Sequence, residues 1–370
     1  MGMLALTRLM STQSERRRRR RQIRARDQCS SSVANRKKEV GRDEDVSPGA
    51  KRLRSSGMDL PEDIWCHIHS LLPLRDAART ACVSRAFSQS WICHPNLTFN
   101  KSILGSNTNE CGTDFIRIIN HVLKRHSGTN VKTLTLELPY YKNAWRHRLD
   151  SCLQIAMSPG IEEITLSFGF FAKAIYKFPC WLLSDRITNS VRCLKLQNCV
   201  FCPTVGPFRS LAVLRFSAVR ITDCLKIPCQ LQRLSYLRVC LCQRLYVIEI
   251  KAPNLRVFNL DTEKATKLSL GVSVKLKLLY INSPDLASYT DLRLLSNVPD
   301  LESLNLKSWC QVASPVMLPV KFLHLKEFNL SLNGHGVSEA YDYFSLSSLL
   351  DCCPSLENIF LNVSHCKGIS

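Results

Sequence analysis

From Val131 onward the chain repeats one spacing of apolar residues, L-x-x-L-x-L. It falls at Val131/Leu134/Leu136, Ile161/Ile164/Leu166, Val191/Leu194/Leu196, Leu211/Leu214/Phe216, Leu234/Leu237/Val239, Leu255/Phe258/Leu260, Leu276/Leu279/Ile281, Leu301/Leu304/Leu306, Leu325/Phe328/Leu330 and Leu356/Ile359/Leu361. Alternation over the last three positions turns two side chains to the same side of a short strand. Recurrence at a near-constant period means that each coil buries its apolar face only by stacking on the next. Successive strands start about 30 residues apart, which leaves room for a helix on the outer side, and Cys152 to Met157 suits one. The spacing then shortens to about 21, and Leu245/Ile248/Ile250 and Leu268/Leu270 fall midway between repeats. A coil that short has no room for a helix, so second strands are expected there.

Two helical stretches precede the repeats. In Thr113 to His126, residues Phe115, Ile118, Ile119, Val122 and Leu123 fall on one face, with Thr113 as a candidate cap and Lys124 and Arg125 in the last turn. In Met58 to Phe99, Asp59 is the expected N-cap, Pro61 suits the first turn, and Glu62 and Asp63 favour the positive helix end. Ile64, Ile68, Leu71 and Leu72 then recur at helical spacing until Pro73. A second helix is expected from Arg75 to about Cys82, and a third from about Arg85, with Phe87 and Trp91 on one face. Some forty residues bury little surface, so their leftover apolar side chains should dock on something else.

The residues of this stretch resemble an F-box: Leu60-Pro61-Glu62-Asp63-Ile64, then Leu71-Leu72-Pro73-Leu74-Arg75-Asp76, then Val83-Ser84-Arg85 with Trp91 downstream. The resemblance implies a three-helix module that binds a Skp-type adaptor, and through it a cullin, in an SCF ubiquitin ligase. The matching adaptor-binding positions are Leu60, Pro61, Ile64, Ile68, Leu71, Leu72, Pro73, Val83, Ser84 and Trp91, of which Trp91 serves either the adaptor surface or the module's own core. The repeats resemble leucine-rich repeats. Gly160-Ile161-Glu162-Glu163-Ile164, Ala252-Pro253-Asn254-Leu255 and Asp351-Cys-Cys-Pro-Ser-Leu-Glu are similar to signatures of plant F-box/leucine-rich-repeat proteins, and Tyr341 to Val363 resembles the start of their FBD region. The expected fold is α/β: a basic, disordered segment over 1–57, an F-box over 58–99, a linker and capping helix over 100–130, and a solenoid of parallel strands over 131–370, with helices or second strands outside and the FBD-like start at about 341–370.

Charge and cysteine content add to this picture. The net charge is +20, and residues 1–57 hold 16 Lys and Arg against 6 Asp and Glu, with Arg16 to Arg21 uninterrupted. Such a segment cannot offset its ordering entropy by burial. Within it Arg36, Lys37 and Lys38, followed by Lys51, Arg52 and Arg54, resemble a two-part nuclear localisation signal; a merely solvated tail is the alternative. Nucleus, cytoplasm or both are the expected locations. The 18 Cys are scattered in a long chain without an export signal, so reduced thiols are expected. Cys66, His67, His69, Cys93 and His94 cluster without a second ligand pair at zinc spacing, and Cys199 and Cys242 fall where the repeat pattern wants Asn or Cys, so no metal site is assigned.

No phosphate-binding loop, dinucleotide fingerprint, zinc-protease helix or nucleophile elbow is present, so neither catalysis nor a cofactor is expected. No apolar run reaches the length of a membrane span. The function implied by the resemblance is a substrate receptor, with an unknown protein substrate held on the concave strand face. Tyr140, Tyr141, Trp145, Trp181 and Trp309 are candidate contacts, or else core. A small-molecule or inositol-phosphate site would need converging Lys and Arg on that face, and these are dispersed in sequence. The rival reading is a nuclear nucleic-acid-binding or scaffold protein that uses the Arg-rich head. The head lacks interleaved aromatics, which makes nucleic acid the weaker reading.

Overall fold

The computed structural model describes residues 61–82, 93–101, 112–126, 131–139, 142–169, 175–202, 208–271, 275–284, 286, 297–309, 321–333 and 351–364. These residues fall into two compact units, divided after His94.

In the first unit, α1 spans Glu62–Ser70 and α2 spans Leu74–Thr80. The N-cap of α1 is Pro61, at ψ 151°, instead of Asp59, which lies outside the described residues. The Pro61 carbonyl takes the amides of Ile64 and Trp65 at 3.1 and 3.2 Å, so the helix opens with no side-chain cap. Pro73 does the same for α2, accepting from Asp76 and Ala77 at 2.8 and 3.0 Å. The residue that stops the first apolar run therefore starts the next helix: a proline has no amide to extend α1, and its fixed φ suits an N-terminus. The expected third helix lies outside the described residues.

The second unit is built on an eleven-stranded parallel sheet. Its strands in spatial order are β1 (Asn96–Phe99), β2 (Thr133–Leu138), β3 (Glu163–Phe168), β5 (Cys193–Gln197), β7 (Val213–Ser217), β9 (Tyr236–Cys240), β11 (Val257–Asp261), β13 (Leu278–Asn282), β14 (Ser303–Ser308), β15 (Glu327–Asn333) and β16 (Asn358–Ser364). All ten sequence repeats form strands of this sheet. Residues 96–99, grouped above with the helical stretch, form an eleventh strand paired with β2, with Leu97 and Phe99 buried; four residues are too short a run to mark a strand in the sequence.

A five-stranded outer sheet runs β12 (Lys267–Leu270), β10 (Gln243–Ile250), β8 (Arg220–Ile227), β6 (Cys199–Phe201), β4 (Tyr176–Lys177). The strands expected at Leu245–Ile250 and Leu268–Leu270 are β10 and β12. The outer sheet also reaches back to Tyr176, where α4 (Arg146–Ala156) of the preceding coil gives way to strand. Before the repeats, α3 spans Gly112–Arg125 and buries the expected stripe, with Ile119 at 0% and Val122 and Leu123 at 1% exposure.

The core lies between the two sheets. The ring of Phe201 packs 5.9 Å from that of Phe178 and 5.3 Å from that of Phe216, so an outer strand and an inner strand share one aromatic stack.

The inner strands β5, β7 and β9 each end in a turn whose amide donates to the next strand's last carbonyl: Asn198 to Ser217, Ala218 to Cys240 and Leu241 to Asp261, at 2.9, 2.8 and 2.7 Å. Asn198, Ala218 and Leu241 all hold φ at +50° to do so. Left-handed backbone costs about 1 kcal/mol or more for a residue such as leucine but is tolerated by asparagine. Leu241 is half-exposed, so its side chain returns little burial. Leu241→Asn is expected to stabilise the fold by about 0.5–1 kcal/mol, read from the urea midpoint; an unchanged or lower midpoint would show that Leu241 contributes packing instead.

The cysteines of the turns are structural. Cys199 is fully buried and Cys242 half-buried. Burial pushes both thiols up, Cys242 to about 12, with neighbouring thiols adding to the effect for Cys199. Neither holds a thiolate at neutral pH. Among the described residues no group of three His, Cys, Asp or Glu side chains could hold a metal ion, and no helix is long and apolar enough to cross a membrane.

Candidate functional site

The first unit presents apolar side chains that it does not use. Ile64, Ile68 and Leu71 fall on one face of α1, since positions three and four apart are neighbours on a helix. Ile64 is 41% and Leu71 72% exposed, and Ile68 is half-buried. Pro61 and Pro73 are also exposed, and Leu72 is half-buried. Of the other expected contacts, Leu60, Val83, Ser84 and Trp91 lie outside the described residues, as do Arg36, Lys37, Lys38, Lys51, Arg52 and Arg54.

The packed side of the unit is held by Leu74, Ala77, Ala78 and Ala81 together with two buried histidines, His69 and His94. The Thr80 hydroxyl gives its one proton to the Ala77 carbonyl at 2.9 Å, so His69 Nε2, 3.2 Å away, is the donor in their contact. His94 Nε2 donates to the Leu72 carbonyl at 3.0 Å and ties residue 94 to the α1–α2 turn. Thus His69 and His94 of the sequence cluster serve the unit's packing, while His67 is exposed.

Burial, followed by the proximity of His94, holds the His69 imidazole below its ordinary value of 6.5. Burial and then Arg125 do the same for His121 in α3. Both take up protons less readily in the fold than in the unfolded chain, which binds them as the pH drops through that value. The unfolded state then binds more protons, so stability falls with pH. The thermal midpoint is expected to decline from pH 7 to pH 5, and a His69→Gln, His121→Gln pair should flatten that decline. A slope unchanged in the double variant would assign the effect to other groups.

The open face of the main sheet is the second surface. The strands pair in register, so the residue between the last two apolar positions of each repeat lines up across the sheet. The row runs Thr98, Thr135, Thr165, Lys195, Arg215, Arg238, Asn259, Tyr280, Asn305, Asn329 and Phe360. Three basic residues far apart in sequence thus become neighbours on β5, β7 and β9. The dispersal of Lys and Arg along the chain did not foretell this, because a parallel sheet with 20-residue coils makes neighbours of residues 195, 215 and 238.

The surroundings of this row are ordered. The Arg215 guanidinium lies 4.6 Å from the centre of the Tyr236 ring. Asn259 donates to the Tyr236 hydroxyl at 3.0 Å. Asn282 donates to Asp261 at 2.9 Å. Burial and then the Asp261 carboxylate raise the Tyr280 phenol, keeping it a neutral donor. Beyond Tyr280, a groove of about 660 Å³ is lined by Asn305, Lys307, Asn329, Ser331, Phe360 and Asn362. Amide side chains both donate and accept, which suits the backbone of an extended chain.

Of the aromatic residues expected to make contacts, Tyr140 and Tyr141 lie outside the described residues. Trp145 is core, at 3% exposure, because it closes the turn leading into α4. Trp181 is 65% exposed and Trp309 half-buried. The aromatics that the row does present, Tyr280 and Phe360, and Tyr236 beside it look like ordinary strand residues in sequence.

Comparison with known proteins finds a family match for each of the two regions. Residues 58–96 match the F-box domain family, and residues 122–223 and 223–368 match the repeat family described as At1g61320/AtMIF1, LRR domain. The chain is similar to the F-box/FBD/LRR-repeat protein At1g13570 of Arabidopsis thaliana, at 26% identity over 294 residues covering 74% of this chain and 68% of the relative. It is also similar to the Arabidopsis thaliana F-box/LRR-repeat protein 25, at 23% identity over 59% of this chain and 79% of the relative. The putative F-box/FBD/LRR-repeat protein At5g56810 of the same organism is 33% identical over 110 residues, 30% of this chain and 23% of the relative.

Proposed function

This chain belongs to the plant F-box/leucine-rich-repeat proteins, and from that premise we propose that it is the substrate-recognition subunit of an SCF-type E3 ubiquitin ligase. The helical unit binds a Skp-type adaptor, and through it a cullin; the open face of the sheet holds a protein substrate. The observation that supports this most is the stripe of Ile64, Ile68 and Leu71, left exposed on a unit that matches the F-box family. An unsatisfied apolar face on so small a unit is a docking surface. The chain's part in ubiquitin transfer is positional: it raises the effective concentration of substrate near chemistry done by other subunits.

The test is co-purification of the full chain with a Skp-type adaptor and the N-terminal part of a cullin. A stable ternary peak on size exclusion supports the reading, and a folded chain that elutes alone removes it. The place of action is the nucleus, the cytoplasm or both, with Arg36, Lys37, Lys38, Lys51, Arg52 and Arg54 directing import. Nuclear accumulation of a fluorescent fusion in which these six are alanine would withdraw that role.

A further inference from the structure

We propose that Lys195, Arg215 and Arg238 form the specificity-determining part of the open face, and that they select a short acidic segment of the protein substrate. The inference deepens the substrate-receptor reading and rests on it. The three residues occupy matched positions on β5, β7 and β9, three consecutive strands of the main sheet. On these strands the neighbouring open-face positions are Cys193, Gln197, Val213, Ser217, Tyr236 and Cys240, so three cations stand together with no acid among them. Among the described residues no carboxylate reaches ion-pair distance of any of the three. At the rim of the same sheet the basic residues are used differently: Lys132 pairs with Glu162 at 2.9 Å, and Lys326 with Glu357 at 3.7 Å. The rim cations hold coils together through ion pairs, which those of the open face do not make among the described residues.

The patch is also preorganised. Arg215 is stacked on Tyr236, whose hydroxyl is fixed by Asn259, and Arg238 follows Tyr236 on the same face of β9. A guanidinium held by its flat face keeps its edge donors free for carboxylates, the pairing that arginine makes best.

The geometry fits a peptide. Adjacent strands lie roughly 4.8 Å apart, so the three cations span about 10 Å, the reach of about three residues of an extended chain. Two or three carboxylates in a stretch of that length would meet all three. The surroundings set the limits of the acidic stretch: Glu163 on β3, Asp261 on β11 and Glu327 on β15 carry the opposite sign on the same face. A polyanion with a charge on every unit, such as a nucleic acid, would meet these carboxylates whichever way it continued. A polypeptide whose acidic residues are followed by neutral ones would instead run into the asparagine-lined groove beyond Tyr280.

The experiment uses the full chain and a fluorescein-labelled twelve-residue peptide with a central Glu-Asp-Glu flanked by Ser, Gly and Asn, followed by fluorescence anisotropy at physiological salt. The basic residues of 1–57 also attract such a peptide, so the reading is the difference between wild type and an Arg215→Glu, Arg238→Glu variant. That variant should bind at least tenfold more weakly, while its melting temperature and co-elution with the adaptor stay unchanged. Should the double reversal unfold the sheet, the Arg215→Gln, Arg238→Gln pair replaces it, with a loss of at least threefold expected. Lys267→Glu, exposed on β12 of the outer sheet and away from the open face, should change binding by less than twofold. Equal binding by wild type and variant overturns the proposal, as does more effective displacement of the peptide by a twelve-nucleotide single-stranded RNA or by inorganic phosphate than by unlabelled peptide. Adaptor co-elution with no effect of the reversals sinks this proposal alone; an effect of the reversals without adaptor binding sinks the ligase reading and leaves the patch as an acidic-peptide site.

Discussion

Ile64→Asp combined with Leu71→Asp is expected to weaken adaptor binding more than a hundredfold while leaving the chain folded. Burial of one large aliphatic side chain is worth about 1.5–3 kcal/mol, and two such losses amount to two or more tenfold steps. Each aspartate adds the penalty of a carboxylate placed against an apolar partner surface without a counter-charge. The fold itself should tolerate the pair, because Ile64 and Leu71 are 41% and 72% exposed and contribute little to the unit's interior. Substitutions at such positions stay within about 0.5 kcal/mol of neutral. Ala77→Asp is the contrasting variant: Ala77 is fully buried beside Ala78 and Ala81, and a carboxylate there should unfold the unit. Calorimetric titration of the adaptor into each variant, with far-ultraviolet circular dichroism as the check on folding, separates the cases. Retained affinity in the folded double variant would mean that the exposed stripe is not the adaptor surface.

The second large effect is expected at Gly169, just past the end of β3. A Cβ there would lie 1.7 Å from the Pro139 carbonyl oxygen, in backbone that has no rotamer to move aside. The position is fixed from two directions: the Gly169 amide donates to the Leu138 carbonyl at 2.9 Å, and its own carbonyl accepts from the Asn198 side chain at 2.6 Å. Gly169→Ala must therefore part the ends of β2 and β3 or give up these bonds, with a loss of about 3 kcal/mol or more. Gly271 is the control. Its nearest obstacle is the Ile250 carbonyl at 3.3 Å, a gap that a small shift accommodates. Gly271→Ala is expected to cost about 1 kcal/mol or less. Denaturant midpoints of the two variants, compared at equal m-value, test the ordering; similar midpoints would show that the turn after β3 has room to give.

The two glycines also show where sequence reading stops. Nothing local distinguishes Gly169 from Gly271, since what makes Gly169 irreplaceable is Pro139, thirty residues earlier in the chain and brought beside it by the stacking of one coil on the next. The same holds for Lys195, Arg215 and Arg238. Their spacing of 20 and 23 residues has no meaning until parallel pairing converts one repeat length into one strand spacing. For Trp145 the sequence left contact and core both open, and its place in the turn before α4 made it core.

What the sequence determined by itself was everything carried by periodicity and by proline. Ten apolar triplets became ten strands of one sheet, because alternation at period two leaves a buried strand as the arrangement that hides those side chains. Pro61 and Pro73 set the starts of α1 and α2, because a fixed φ and a missing amide act locally. What only the tertiary structure decided was which residues from different coils meet. It brought β1 to the edge of the sheet, extended the outer sheet back to Tyr176, left Ile64 and Leu71 uncovered, and aligned three cations on the open face. Those outcomes depend on register between segments far apart in the chain, and register is set by the burial of whole coils against one another, a property that no single repeat contains.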